Sequence, residues 1–312
     1  MVSRQTAYAT ALALTLCYAG AAPAQSTNNL GPREFPDDPF IPDETGGTAS
    51  GGSAQVWVRG AYTSIQVNVT AAGQNILGDA ANEPSIAIDP LNPARMVIGW
   101  RQFDTVASNF RQAGVAYSHD GGHTWVKNTL DPGQIQSDPV LVADNLGNFY
   151  YVSLYVVRLS NRDTYWVEVF KSVDGGVTWL PPVLASGGDK EWAAVDRTGG
   201  IGDGNIYLNW NVSYSCCPPN DFARSVNGGA SFESPTAIPP PSLHWGTSDV
   251  GPDGELYAAG AAASATGHAV AKSSNAQDSS GTPTFDFVAP INLGGVTGGF
   301  ASSTPNPGGL LG

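Results

Sequence analysis

The sequence carries the stretch SHDGGHTW at residues 118–125 and repeats it as SVDGGVTW at 172–179 and SVNGGASF at 225–232. The third residues of these octapeptides, here called boxes, are 54 and 53 positions apart. An Asp or Asn side chain accepts hydrogen bonds from backbone groups ahead of it, and a Gly pair allows a tight hairpin. Each box therefore predicts a structural turn and not a site. Its turn-forming residues are Asp120, Trp125, Asp174, Trp179, Asn227 and Phe232.

A second pattern runs in register with the boxes. A fourth, degenerate box is expected from Ser274 to Phe285, with extra residues inserted in its turn. Before each box lie three strand-like segments, and the units start near Pro84, Pro139, Trp192 and Thr247. Each unit thus holds four short strands, with the box between the third and the fourth. Four-stranded units repeated at this period are the blades of a β-propeller, an all-β fold.

Composition supports short strands and excludes some partners. Only 13% of the 312 residues are charged, and there are 38 Gly and 23 Pro, which favours strands joined by tight turns. Lys and Arg total 14 against 27 Asp and Glu. Nucleic-acid binding is not expected, because it needs clustered cations. Cys216 and Cys217 could form a vicinal disulfide or stay as thiols, and two sulfurs are too few for a zinc site. We expect no metal and no cofactor.

The amino-terminal segment predicts export. Arg4, an apolar run at residues 7–19 and small residues at 22 and 24 indicate a signal peptide over residues 1–24. The run is shorter than the about 20 residues of a membrane-spanning helix, and no later segment qualifies. Residues 25–53 are rich in Gly, Ser, Pro and acidic side chains, which predicts a disordered linker. The expected product is a secreted or periplasmic propeller over residues 54–312.

The boxes resemble the Asp-box, or bacterial neuraminidase, repeats of sialidase-like β-propellers over residues 80–291. The resemblance implies six or more blades. Because the repeats give four, we expect a truncated ring that lacks its carboxyl-terminal blades, with a closed four-bladed propeller as the alternative. Residues 62–69 predict an extra strand suited to completing the last blade of such a ring.

The resemblance also implies glycoside hydrolysis by an Asp acid/base and a Tyr nucleophile assisted by Glu, with three arginines on the substrate carboxylate. No Arg here is followed by the Ile-Pro or Leu-Pro of the first of those arginines, and the late blade that would carry the Tyr is missing. Arg101 and Arg111 are the candidates for the other two arginines, and Asp104 is the candidate for the acid.

Blade geometry places the starts of the inner strands and the connections between second and third strands on one face. Arg side chains on this face, including Arg158 and Arg162, suit a sugar carboxylate, because a guanidinium binds it bidentately. A buried carboxyl group can serve as a general acid. The aromatic residues Trp192, Trp210 and Trp245 are candidates for stacking on sugar rings. The alternative is that these residues form ion pairs and cores between blades.

The predicted function is a secreted, exo-sialidase-like glycoside hydrolase acting on anionic glycans such as sialosides. Catalysis is assigned to Asp104 and Glu83. Substrate binding is assigned to Arg101, Arg111, Asp138, Lys190, Glu191 and Trp245. The alternatives are a non-catalytic propeller that binds carbohydrate or protein, and a polysaccharide lyase using His244, Lys190 or Tyr214. Arg224, on the strand leading into the third box and away from the funnel, is expected to be neutral for glycan binding when it is replaced by Lys.

Overall fold

The computed structural model describes residues 50–159, 162–239, 243–262 and 267–292, so the predicted signal peptide lies outside the described residues. Four short strands come first: β1 (Ser50–Ser53), β2 (Val56–Arg59), β3 (Tyr62–Ile65) and β4 (Gln74–Ile76). Strand β1, at the end of the predicted linker, pairs with β4, and β2 pairs with β3. Residues 62–65 therefore form the predicted extra strand, which pairs in a separate hairpin with β2, and its use in completing a last blade stays a prediction.

The remaining strands form four antiparallel sheets, each running outward in sequence order. The first blade contains β5 (Ala80–Ile88), β6 (Met96–Phe103), β7 (Gln112–Ser118) and β8 (Val126–Leu130). The second contains β9 (Gln136–Ala143), β10 (Phe149–Leu159), β11 (Arg162–Ser172) and β12 (Val183–Ala185). The third contains β13 (Trp192–Val195), β14 (Ile206–Asn209) and β15 (Phe222–Ser225). The fourth contains β16 (Leu243–Val250), β17 (Leu256–Ala262), β18 (His268–Ser273) and β19 (Phe287–Ile291).

The third blade has three strands, where four were predicted. After its box, the chain makes only a single bridge between Phe222 and Thr236. Pro235 and Pro239 flank this bridge, and proline has no N–H group to donate to a strand ladder. The prediction of four strands per blade is confirmed for the other three blades.

The four blades surround a common axis. Their inner strands β5, β9, β13 and β16 all line one cavity of about 260 Å³. Apolar cores fill the spaces between neighbouring blades, as expected for a propeller. In order around the axis, these cores contain Val97 with Tyr151, Val152 with Ile206, and Tyr207 with Leu256. The all-β propeller predicted from the repeats is confirmed.

The arrangement of described blades is an open arc. Among the described residues, no apolar core joins the fourth blade to the first. Ile86 and Ile88 of β5 remain exposed beside the central cavity. The described blades thus differ from a closed four-bladed ring. Over the same ranges there is no helix long and apolar enough to cross a membrane.

The four boxes form one kind of hydrogen-bonded turn. Oδ1 of Asp120 accepts hydrogen bonds from the Thr124 backbone N at 2.9 Å and from Ser118 Oγ at 2.7 Å. The backbone N atom bonded to the equivalent oxygen lies at 2.9 Å for Thr178 on Asp174, 3.0 Å for Ser231 on Asn227 and 2.8 Å for Thr284 on Asn275. The degenerate fourth box therefore keeps this bond in spite of its inserted residues.

Candidate functional site

The inner strands of the first two blades each contain a β-bulge at the same position in the repeat. Strand β5 carries an extra residue between Asn82 and Ser85 relative to its partner, and β9 carries one between Ser137 and Val140. Pro84 and Pro139 lie in these bulges, because proline cannot donate a ladder hydrogen bond. A bulge redirects the side chains beside it, so it can aim charged groups toward the axis.

Three charged residues at these positions have left-handed backbone. Glu83, Asp138 and Lys190 have φ angles of 52°, 48° and 55°. Nζ of Lys190 lies 2.8 Å from Oδ2 of Asp138 and 3.6 Å from Oε1 of Glu83. Residues from three successive blades thus meet around one ammonium group, although they are far apart in the sequence.

The two carboxyl groups on this ammonium have opposite pKa shifts. Burial and the neighbouring Asp138 carboxylate raise the pKa of Glu83, whose side chain is 38% exposed. Burial also acts to raise the pKa of Asp138, but the Lys190 ammonium and the Ser137 hydroxyl outweigh it and lower that pKa to about 2. A side-chain hydrogen bond between the two groups contributes to both shifts, raising the pKa of Glu83 and lowering that of Asp138. The pair therefore places a carboxyl group with a raised pKa beside one with a lowered pKa.

Lys190 and Glu191 complete the centre of the cluster. Burial opposes the charge on Lys190, but Asp138 and Glu83 together raise its pKa above the usual value. Burial, and then the nearby Asp138 carboxylate, raises the pKa of Glu191 well above its usual range. Glu191 is buried, and this burial disfavours its charged form.

Arg101 forms the outer edge of the cluster. Its Nε donates to Oδ1 of Asn82 at 2.7 Å, and its Nη2 lies 3.5 Å from Oε1 of Glu83. The guanidinium carbon lies 5.6 Å from the centroid of the Phe103 ring, which fixes the plane of the fork. We define the charged cluster as Glu83, Arg101, Asp138, Lys190 and Glu191. Sequence reasoning missed the supporting roles of Asn82 and Ser137, since nothing in their type distinguishes them from other polar residues in loops.

Asp104, the predicted acid, contacts a residue outside this cluster. Oδ2 of Asp104 accepts a hydrogen bond from Gln112 Nε2 at 2.7 Å, and its charge acts on the ammonium of Lys127. Arg111 is half-buried before β7, and its carbonyl accepts from the Gln136 backbone N at 3.1 Å. The side chains of Arg158, Arg162, His244 and Trp245 lie outside the described residues.

The predicted tryptophans differ in their burial. Trp210 is 2% exposed, and its Nε1 donates to the carbonyl of Asn220 at 3.2 Å. It belongs to the core between the second and third blades, so its expected stacking on a sugar is wrong. Trp192, next to Glu191, is 39% exposed and stays available to a ligand.

Comparison of the sequence with protein families and with curated proteins gives no match. Among solved structures, the fold is similar to a Hadza microbial sialidase, with a TM-score of 0.50 and 12% identity over 73% of this chain and 49% of that chain. A leech intramolecular trans-sialidase has a TM-score of 0.48 and 11% identity over 69% and 51% of the two chains. The chain spans about half the length of these two proteins. The fold is therefore that of a sialidase-like β-propeller, and at this identity the likeness concerns the fold alone.

Proposed function

We propose that this chain is a secreted propeller glycoside hydrolase that acts on anionic glycans, such as sialosides, at the charged cluster. One observation carries the proposal: Glu83 and Asp138 share the Lys190 ammonium and have opposite pKa shifts. Glycoside hydrolysis commonly uses two carboxyl groups, one protonated and one ionised. The cluster supplies such a pair on the face where propeller loops bind ligands.

The exposure of the two groups assigns their roles. Glu83 is the more exposed of the two and keeps its proton to higher pH, so it is the general acid that protonates the leaving oxygen. Asp138 stays ionised and stabilises the positive charge that develops on the sugar ring in the transition state. Asp104, which contacts Gln112 and not the cluster, has no part in this scheme.

The charge of the cluster favours an anionic substrate. When Glu83 and Glu191 are protonated, Arg101 and Lys190 face a single carboxylate, that of Asp138. The cluster then has an excess of positive charge, although the whole chain has a formal net charge of −13. A sugar carboxylate can pair bidentately with the Arg101 fork.

A second observation supports export. Cys216 and Cys217 are joined by a disulfide bond. Disulfide bonds persist in oxidising compartments outside the cytoplasm, so this bond agrees with the signal peptide expected at residues 1–24.

A non-catalytic binding propeller is the second candidate. Its supporting observation is that the Asp138 side chain is 7% exposed and already in contact with Lys190. A carboxylate so enclosed can hold a cation in place for ligand binding without touching the substrate. Both candidates place the ligand at the charged cluster, and they differ only in turnover.

The test measures reducing-sugar release from 3′-sialyllactose and from oligogalacturonate, with the wild-type chain and with Glu83→Gln. We expect the substitution to lower the rate about 10²- to 10⁴-fold, because the amide cannot supply the acid proton. The wild-type rate should fall as pH rises through the raised pKa of Glu83, since only the protonated carboxyl group donates.

The matched control is Glu255→Gln. Glu255 also pairs with a lysine, Lys272, at 2.9 Å, but it lies in the fourth blade outside the cluster. Its rate should equal that of the wild type. Glycan binding by calorimetry without any release would support the binding propeller, and undiminished release by Glu83→Gln would refute the assigned acid.

A further inference from the structure

A strap of chain, residues 211–217, is bonded to the segment that leads into Lys190. The Cys216 backbone N donates to the Gly187 carbonyl at 3.0 Å, and the Gly187 N donates to Cys216 Sγ at 3.3 Å. Two further bonds flank the Gly188–Ser215 bridge: the Asp189 N donates to the Tyr214 carbonyl at 2.7 Å, and the Asn211 N donates to the Asp189 carbonyl at 2.9 Å. The strap thus holds every residue of the 187–189 segment.

The contact between strap and segment has no spare room. A Cβ atom on Gly188 would lie 2.4 Å from the Tyr214 carbonyl oxygen and 2.6 Å from the Ser215 side chain. A Cβ atom on Gly187 would meet the Val167 side chain. Because backbone packs directly on backbone here, a change in the strap is passed to the residues before Lys190.

We propose that the Cys216–Cys217 disulfide is a positioning element for Lys190, so that the charged cluster is assembled when this bond is oxidised and loosened when it is reduced. The ring formed by two adjacent cysteines fixes the backbone between them. The same Cys216 supplies two of the hydrogen bonds that hold Gly187. Loss of the ring therefore frees the strap at the point where it grips the segment.

Lys190 is sensitive to this grip because its backbone is strained. A non-glycine residue at a φ of 55° persists only where its surroundings fix it. The charged groups around its ammonium are Asp138, Glu83, Asp189 and Glu191, and Arg101 reaches it through Glu83. When the segment relaxes, the ammonium moves away from Asp138 and regains an ordinary environment.

The redox step is a two-electron reduction. A phosphine and water convert the S–S bond into two thiols, while the phosphorus is oxidised to the phosphine oxide. The sulfurs receive two electrons and two protons, and no other group in the protein changes oxidation state. Cys217 is half-buried and Cys216 is buried, so Cys217 is the more exposed residue of the pair.

The test needs no ligand, so its result is independent of the proposed function. The chain has four lysines, Lys127, Lys171, Lys190 and Lys272, and their acylation rates can be compared by mass spectrometry. Only the neutral amine reacts, so the raised pKa of Lys190 suppresses its reaction in the oxidised protein. We expect phosphine reduction, or Cys216→Ser with Cys217→Ser, to raise the Lys190 rate about tenfold, equivalent to one pKa unit.

Two comparisons make the result decisive. Lys171 and Lys272, which contact Gly228 and Glu255 in other parts of the fold, should keep their rates. In Asp138→Asn, Lys190 should react fast in both redox states, so reduction adds nothing. An unchanged Lys190 rate after complete reduction overturns the proposal. A common rise at all four lysines also overturns it, because the bond would then hold the whole blade and not Lys190.

Discussion

At the residue scale, the position within the repeat decides which side chains meet. Glu83, Asp138 and Lys190 each lie six residues before the Asp that closes the inner strand, at Asp89, Asp144 and Asp196. All three have left-handed φ angles, which cost roughly 1–2 kcal/mol for a residue with a side chain. The charged cluster thus coincides with strained backbone, as is common at functional sites.

Arg224 has a structural role that its position in the repeat does not predict. Its side chain is 1% exposed and forms five hydrogen bonds: two to the Glu233 carboxylate, and three to the carbonyl oxygens of Ala276, Asp278 and Gly281. Those carbonyls belong to the residues inserted in the fourth box, which fold over the guanidinium. The alternation of residues along β15 contains no sign of this cover, so the structural role of Arg224 was not predicted, and its neutrality for glycan binding stays a prediction.

We predict that Arg224→Lys destabilises the protein by about 3 kcal/mol, measured by urea unfolding. An ammonium has three donors in place of five and cannot bind the carboxylate as a fork, so at least two buried bonds to charged or carbonyl groups are lost. Arg197→Lys is the control, because Arg197 is exposed, and should change stability by less than about 0.5 kcal/mol. Equal stability of the two variants would mean that the guanidinium bonds contribute nothing.

At the element scale, the box turns were predictable because their chemistry is local. The carboxylate or amide, the Gly pair and the hydroxyl residue all lie within eight residues, so sequence spacing alone indicates the bonds. The missing fourth strand of the third blade depends on Pro235 and Pro239, which the spacing of the repeats does not reflect. The strap on residues 187–189 was not predictable, since it joins loops whose contact depends on the packed blades.

We predict that Asp174→Ala lowers the free energy of unfolding by about 2 kcal/mol, whereas Asp174→Asn is nearly neutral. Oδ1 of Asp174 accepts from the Thr178 N and from Ser172 Oγ, each bond contributing about 1 kcal/mol. Asparagine keeps that oxygen, and in the third box Nδ2 of Asn227 donates to the Ser231 hydroxyl at 2.8 Å. Thermal melts decide: equal melting temperatures for the Ala and Asn variants would show that the turn does not depend on this acceptor.

At the scale of the whole molecule, neighbouring blades are linked by a recurring hydrogen bond, here called a clasp. It runs from the side chain that precedes one box to a backbone carbonyl in the next box. Nζ of Lys171 donates to the Gly228 carbonyl at 3.1 Å, and Nη1 of Arg224 donates to the Ala276 carbonyl at 2.8 Å. Each donor directly precedes a box, and each acceptor directly follows the Asn of the next box. Lys272 holds the same position in the fourth blade but contacts Glu255 of its own blade at 2.9 Å. The fourth blade therefore has the donor residue of a clasp. Among the described residues, no further box follows to supply the acceptor carbonyl.

Repetition made the propeller predictable, whereas the composition of the site was predictable only in part. Glu83, Asp138 and Lys190 could be named because the repeat aligns them at the funnel face. Arg101 joined them because Asn82 lies directly opposite it in the ladder between β5 and β6. Asp104 contacts Gln112 and not the cluster, because the direction of a side chain in a connection depends on its neighbours. The register of the strands repeats from blade to blade and can be predicted, whereas the conformation of the loops does not repeat.

The open arc predicts that local stability differs from blade to blade. The second blade has an apolar core on both sides, and Phe149, Tyr150, Tyr151 and Val152 of β10 are all 0% exposed. Among the described residues, the fourth blade has one such core, against the third, and β2 and β3 are largely exposed. Amide hydrogen exchange should therefore be slowest in β10, faster in β18 and β19 by at least about tenfold, and fastest in β2 and β3.

This gradient in exchange rate is predicted from packing within one chain. The measurement must therefore distinguish it from protection that arises when two chains associate. Repeating the exchange at tenfold lower protein concentration should leave the order of the exchange rates unchanged, because local opening of a blade within one chain does not depend on concentration. Protection of β18 and β19 that equals that of β10 and persists on dilution would contradict the open arc. It would mean that another part of the same chain packs on the side of the fourth blade that faces away from the third. Lys272 would then have a clasp acceptor in solution.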